Sequence, residues 1–218
     1  MIQVLQQEIP FFSVIICTYN RATIIEGAIK SLLAQSEHDW EAIIVDDGST
    51  DDTFSVVRQY CLSDKRIRYC YHNNKGVGLS KNTGILASSG MFVTFLDSDD
   101  QYKEDHLQSR KEMLIAYPTI DMLHGGCEVN GDTFVADKND PTKKISLDEC
   151  VIGGTFFIKR STLIAMNGFS SLRYGDDADF YERAVEQEVV IAHTDYPSYI
   201  YNRDSEDSLC TNQFIEKT

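Results

Sequence analysis

Basic residues are scarce in this sequence of 218 residues: 20 Lys and Arg stand against 34 Asp and Glu, a formal net charge of −14. That balance excludes a general nucleic-acid binder, which needs a basic footprint to meet the phosphate backbone. No apolar run approaches the length of a membrane span, and the opening MIQVLQQEIPFF lacks the basic start and continuous apolar segment of a secretory signal. The expected location is therefore cytoplasmic, with peripheral attachment at the inner face of the cell membrane as the alternative. Six cysteines (Cys17, Cys61, Cys70, Cys127, Cys150, Cys210) form no CxxC pair, which argues against a zinc site or a disulfide framework. The five histidines show no paired ligand spacing, and there is no internal repeat, low-complexity tract or linker. What remains is a composition of 42% hydrophobic and 25% charged residues, long enough to bury one full core.

The first half alternates strand and helix signals. FSVIICT (12–18) and EAIIVDD (41–47) are continuous apolar runs of strand length, as expected for strands covered on both faces. Between them IIEGAIKSLLAQ has helical spacing, with Ile25, Ile29, Leu32 and Leu33 on one side. A second helix follows Asp47, capped by Thr50 or Asp51. IRYCYH predicts a third strand, GVGLSKNTGILAS a third helix and MFVTFL a fourth strand. Repeated units of this length predict a mainly parallel sheet flanked by helices, with ligands bound beyond the carboxyl ends of its strands. Residues 101–218 are less regular. They predict a helix over 104–117, a hairpin around Asn130-Gly131, an exposed NDPTKK loop, a strand with a short helix, and a helix over 176–187.

Three polar clusters then fall along one sheet edge: Thr18-Tyr19-Asn20-Arg21, Asp46-Asp47-Gly48-Ser49 and Asp97-Ser98-Asp99-Asp100. The last ends the hydrophobic run TFL with three acids in four positions. Like charges that close repel, and a cation or a ligand carrying one is the usual remedy. Alternation points Asp97 and Asp99 the same way, so that both can address one ligand, the outer one through a metal and the inner one nearer a sugar or ribose. A solvated acidic turn is the plain alternative. An EF-hand starting at Asp97 fails, because Tyr102 and Gln108 stand where Gly and Glu are required. For Ser49 to Asp52 turn and capping duty is preferred, whereas Asp46 or Asp47 can accept from the imide NH of a pyrimidine. Lys81 breaks the dinucleotide pattern GxGxxG; it supplies a cation for a base or diphosphate, or is an ordinary solvated helix lysine. Asp176, Asp177 and Asp179 at a helix start exceed what capping requires.

Taken together, SVIICTYNR, IIVDDGSTDDT, NNKGVGLSKNTGILASSG, FVTFLDSDD and MNGF followed by GDDADFYERA resemble family 2 inverting glycosyltransferases of the GT-A fold, over about residues 12–205. The resemblance implies an α/β protein with a mainly parallel central sheet and a smaller mixed acceptor-side region. It implies a single domain over 1–218, with a nucleotide-sugar-binding half (1–100) and an acceptor-binding half (101–218). The implied activity is metal-dependent transfer of a sugar, with inversion, from a nucleotide diphosphate donor such as a UDP-sugar to a hydroxyl of a glycan or lipid-linked glycan, as in polysaccharide biosynthesis. By position, Thr18, Tyr19, Asn20 and Arg21 would line the nucleoside pocket, Asp46 or Asp47 would contact the base, and Lys81 would take the place of a common arginine. Asp97 and Ser98 would approach the ribose or donor sugar, Asp99 would ligate Mn²⁺ or Mg²⁺, Asp177 would be the general base, and Asp176 would stand in for the family's Glu. The sequence keeps Tyr201 and Arg203 near the end, with Asp204 and Ser205 where a histidine is common. A nucleotide-sugar-binding subunit without turnover and a sugar-phosphate nucleotidyltransferase are the alternatives.

Overall fold

A computed structural model describes residues 9–138, 140 and 142–203. Its elements are, in order, β1 (Phe12–Thr18), α1 (Ile25–Leu33), β2 (Trp40–Asp46), α2 (Thr53–Ser63), β3 (Ile67–Tyr71), α3 (Val77–Ala87), β4 (Phe92–Phe95), β5 (Gln101–Tyr102) and α4 (His106–Ala116). There follow β6 (Met122–His124), β7 (Cys127–Asn130), β8 (Phe134–Ala136), β9 (Lys144–Ser146), β10 (Phe157–Lys159), α5 (Arg160–Ala165), α6 (Asp176–Glu186), β11 (Ile191–His193) and β12 (Tyr199–Asn202). No helix among the described residues is long and apolar enough to cross a membrane.

The main sheet has the order β11-β6-β10-β4-β1-β2-β3. Its β1–β2, β1–β4, β2–β3 and β6–β11 pairs are parallel, and β10 alone runs against its neighbours. Because side chains alternate along a strand, each central strand feeds two apolar layers. Val14, Ile16, Ala42 and Ile44 pack under α1 and α2, with Leu107 and Leu114 of α4 in the same layer. Ile15, Ile43 and Val45 pack on the opposite face with Ile85 of α3, Leu163 of α5 and Phe180 of α6. Each such side chain, fully buried, stabilises by ~1.5–3 kcal/mol. Helix α3 lies close on β1 because Gly84 has no side chain: a Cβ there would stand 2.6 Å from Ile15 Cγ2.

The expected hairpin at Asn130-Gly131 is not formed. Gly131 does turn the chain, with φ 107°, but β7 pairs in parallel with β12, and β8 takes β9 as its antiparallel partner. The reason lies upstream, where Gly125 (φ 93°) and Gly126 (φ 72°) swing the chain out of the main sheet after β6. A Cβ on Gly126 would meet Tyr196 O at 2.1 Å, so this crossing is closed to other residues. The result is a small sheet, β5-β12-β7, set beside the carboxyl end of β4.

Candidate active site

In β1–β2 the register sets Thr18 opposite Asp46, so the first two polar clusters leave the sheet side by side. Their loops are stitched together. Asn20, left-handed at φ 52°, donates its N–H to Ser49 Oγ (2.8 Å) and accepts from Thr50 N–H on Oδ1 (2.8 Å). Arg21 N–H donates to Thr53 Oγ1 (3.0 Å), and the Asp51 carboxylate accepts from the N–H groups of Thr53 and Ala22 (both 3.0 Å), which is turn duty; the N-cap of α2 is Asp52, not Thr50 or Asp51, and its side chain makes no capping bond. Thr18 Oγ1 is buried on the wall of a cleft and has no hydrogen-bond partner. A polar atom left so in a native fold marks a place where a ligand or water completes the bonding.

The two carboxylates after β2 part company. Asp46 accepts from Ser49 N–H (2.7 Å) and Tyr69 Oη (2.6 Å); it shapes the turn and stands outside the cleft wall. Asp47 does line the cleft, and it accepts from the N–H groups of Lys75 (2.8 Å) and Gly76 (2.9 Å), with His72 Nδ1 at 3.3 Å. Of the two candidates for a base contact, only Asp47 lines the cleft.

The acids after β4 are divided likewise. Leu96 N–H still bonds to Ile15 O (3.0 Å), and the chain then turns, with Asp100 N–H donating to Asp97 O (3.0 Å). Asp97, Ser98 and Asp99 face the cleft. Asp100 is fully buried and accepts from Tyr199 Oη (2.6 Å) and Asn202 N–H (2.7 Å) of β12. Asn202 Nδ2 also donates to Asp99 O (2.9 Å), so β12 fixes the acidic turn from behind. Burial, then the Asp97 charge, pushes Asp100 up to about 9. Burial raises Asp97 to about 6; Asp99, Asp176 and Asp177 add to the rise and Lys81 opposes it.

Opposite stands the start of α6. Gly175, left-handed at φ 74°, sets the entry to the helix. Asp176 receives Lys81 Nζ at 2.7 Å, a buried ion pair between positions 95 apart in sequence. The Asp177 carboxylate accepts from Gly153 N–H on Oδ2 (3.1 Å) and from Ala178 N–H on Oδ1 (2.8 Å). Burial raises its proton affinity, Lys81 and the two N–H groups lower it, Asp176 raises it, and the net shift is upward. A Cβ on Gly153 would crowd Asp177 Cβ at 3.0 Å, and at Gly154 one would strike Tyr199 Oη at 2.2 Å.

The cleft holds about 1150 Å³ and brings together Thr18, Tyr19, Asn20, Arg21, Asp47, Lys81, Asp97, Ser98, Asp99, Asp176 and Asp177. Its far wall, from Val135, Ile145, Leu147, Val151, Tyr174 and Tyr181, is apolar and aromatic. Sequence reasoning named Asp100 only as a member of the acidic cluster, and missed Gly153 and Tyr199. The Gly-Gly pair at 153–154 was the available signal; nothing near Tyr199 in sequence points to Asp100. Tyr201 lines the cleft and receives Arg203 Nη1 at 3.4 Å, while Asp204 and Ser205 lie outside the described residues.

The model of the family described as "Glycosyl transferase family 2" matches residues 13–165. The chain belongs to family 2 of the glycosyltransferases. A relative over most of its length is the GalNAc(5)-diNAcBac-PP-undecaprenol beta-1,3-glucosyltransferase of Campylobacter jejuni, 32% identical over 90% of this chain and 67% of its own. Two solved structures share the fold: S. aureus TarS 1-349 in complex with UDP-GlcNAc (TM-score 0.76, 22% identity, 91% of this chain and 60% of that one), and the mannosyltransferase PcManGT of Pyrobaculum calidifontis with GDP-Man and Mn²⁺ (TM-score 0.71, 21% identity, 92% and 59%). The fold is thus GT-A, as the resemblance implied. The chain spans less than two thirds of the length of several family 2 relatives it matches, 42% of one and 16% of another.

Proposed function

We propose that this cleft transfers a sugar from a nucleotide diphosphate sugar, a UDP-sugar first among them, to a hydroxyl of a glycan or lipid-linked glycan, with inversion at the anomeric carbon. The observation that carries the reading is that Asp97 and Asp99 on one side and Asp177 on the other face a single cleft, with Thr18 Oγ1 unsatisfied in its wall. That the family includes lipid-linked glycan transferases, and that the fold in TarS accommodates UDP-GlcNAc, supports the choice of substrates.

Thr18, Tyr19 and Asp47 are placed to receive the nucleoside, with Tyr19, 47% exposed, at the rim. Asp97 and Ser98, which line the same cleft, would approach the ribose and donor sugar. Asp99 and Asp97 offer the hard carboxylate oxygens that Mn²⁺ or Mg²⁺ prefers. Among the described residues no group of three acidic, His or Cys side chains converges to hold a metal, and oxygens of the donor diphosphate would complete the coordination begun by these carboxylates. Such a cation supplies charge neutralisation at the departing nucleoside diphosphate.

Asp177 takes the proton of the attacking hydroxyl. Its raised proton affinity suits a base, and the Gly153 and Ala178 N–H groups fix the plane of the carboxylate. One base suffices, because inversion is a single displacement. Asp177→Asn is nearly isosteric, so UDP affinity and folding should be retained while transfer falls by roughly two to four orders of magnitude. Transfer assays beside calorimetry with UDP and Mn²⁺ check this. Near wild-type transfer would move the base elsewhere, and loss of UDP binding with transfer would place the carboxylate in the donor site. If wild type binds UDP yet neither transfers to any acceptor nor hydrolyses the donor, the chain is a binding subunit.

A further inference from the structure

Lys81 is a buried cation in the cleft wall. Only 6% of its surface is exposed, and its ammonium is enclosed on several sides. Asp176 of α6 takes it at 2.7 Å, and it lies 4.8 Å from the centre of the Phe169 ring and 5.8 Å from that of Phe95. Gly153 approaches so closely that a Cβ on it would be 3.5 Å from Nζ. The same Cβ would stand 3.5 Å from Asp177 Oδ2, so that carboxylate lies beside the ammonium, and Asp97 lines the same cleft; the charges of both favour the ammonium form. One ammonium therefore sits among three carboxylates, of which Asp97 comes from the donor side and Asp176 and Asp177 from the acceptor side.

We propose that Lys81 is a positioning residue, the shared counter-charge that holds the donor-side and acceptor-side carboxylates in one cleft, and does not bind the donor. A lysine reaching for a diphosphate keeps its ammonium free for it; this one is already taken by Asp176 at 2.7 Å. An ordinary ion pair between two groups would be broken about equally by removing either member. A shared counter-charge behaves asymmetrically. Lys81→Met leaves three carboxylates uncompensated, whereas Asp176→Asn leaves Lys81 two acidic neighbours and an amide that still accepts its hydrogen bond.

The test uses the full chain and rests on Asp177 as the base. Lys81→Met should lower the melting temperature by about 10 °C and Asp176→Asn by about a third of that or less. The acid limb of the kcat/KM profile should move in opposite directions. It should rise by on the order of one pH unit in Lys81→Met, where Asp177 loses a positive neighbour, and fall by a similar amount in Asp176→Asn, where it loses a negative one. The groups facing Asp177 are Lys81 from α3, Asp176 on its own helix, Asp97 after β4, and the Gly153 and Ala178 N–H groups. UDP affinity measured with Mn²⁺ should stay within about threefold of wild type in both variants. Three results overturn the proposal: equal losses of melting temperature, an acid limb that stays in place in Asp176→Asn, or a tenfold loss of UDP affinity in Lys81→Met with its acid limb unmoved. If Lys81→Met does not fold, the downward shift in Asp176→Asn carries the test alone. Should Asp177→Asn remain active, the base assignment fails by itself, and the asymmetry in melting temperature still judges the counter-charge.

Discussion

The first hundred residues and the hundred that follow place their cleft groups by different means. Thr18, Asp47, Asp97 and Asp99 each sit at or just past the end of a strand in a parallel sheet; the first two loops bond to each other, and β12 adds a brace behind the acidic turn. Asp177, by contrast, is oriented by Gly153, 24 positions away, and Asp176 by Lys81, 95 positions away. A site built at strand ends inherits its geometry from the sheet. A site built from contacts between distant segments depends on every residue that lets those segments meet, glycines above all.

The donor side is broken most severely at Asp99. Asp99→Ala should weaken UDP binding in the presence of Mn²⁺ by about 100-fold, because the diphosphate then faces Asp97 without the cation that reconciles them. Calorimetry on wild type with EDTA should show a comparable loss; equal UDP affinity with and without metal would remove Asp99 from that role. Melting should change little, since Asp99 borders the cleft.

A pair of glycine substitutions sharpens the contrast between the halves. Gly154→Ala drives a methyl into the buried Tyr199 ring and should cost about 3 kcal/mol in urea unfolding. Gly27→Ala, on α1, meets only the amide end of the exposed Gln101 side chain at 3.2 Å, and should gain about 0.5–1 kcal/mol from helix propensity. Equal effects at the two positions would show that the second half is no more dependent on close approach than the first.

The smallest effect concerns His124, which faces His193 across β6–β11 and packs on Tyr181, a cleft residue. Burial, then the His193 charge, lowers it to about 4. A histidine depressed in the folded state is neutral in both states above about pH 6.5. As pH falls below that value the unfolded chain takes up the proton first, so stability is lost until about pH 4. His106, buried and held well below the ordinary histidine range, adds a loss of the same sign. His124→Phe should therefore shrink, not abolish, the drop in unfolding free energy between pH 7 and 5, by ~1 kcal/mol for so partly exposed a ring. An unchanged drop in urea titrations at the two pH values would show that His124 protonates freely.

Much of this was readable from the residues alone. The apolar runs fix β1, β2 and β4, and the parallel arrangement they imply carries Thr18, Asp47 and Asp97 to one edge. The choice between Asp46 and Asp47 was not readable, because it turns on Tyr69, which arrives from β3 to claim the Asp46 carboxylate. The pairing of Lys81 with Asp176 was hidden for the same reason, and both residues had ordinary local explanations as a helix lysine and a helix cap. Asn130-Gly131 misled because a tight turn signals only that the chain reverses direction. Which strand β7 then pairs with was settled by the two glycines before it and by β12.

The position of β4 has a consequence for the order in which the chain is made. On one side β4 is bonded to β1, which is already present when residues 92–95 emerge; on the other it waits for β10, about sixty residues later. Phe92, Val93, Thr94 and Phe95 carry no charge and no proline, so during that interval a nascent chain displays an uncovered, strongly apolar strand with open backbone donors and acceptors. Lys159, the last residue of β10, closes against Phe92 and bonds through its ammonium to Asp121 Oδ1 at 2.9 Å. The antiparallel strand in an otherwise parallel sheet is thus also the shield that ends a window of aggregation risk during synthesis.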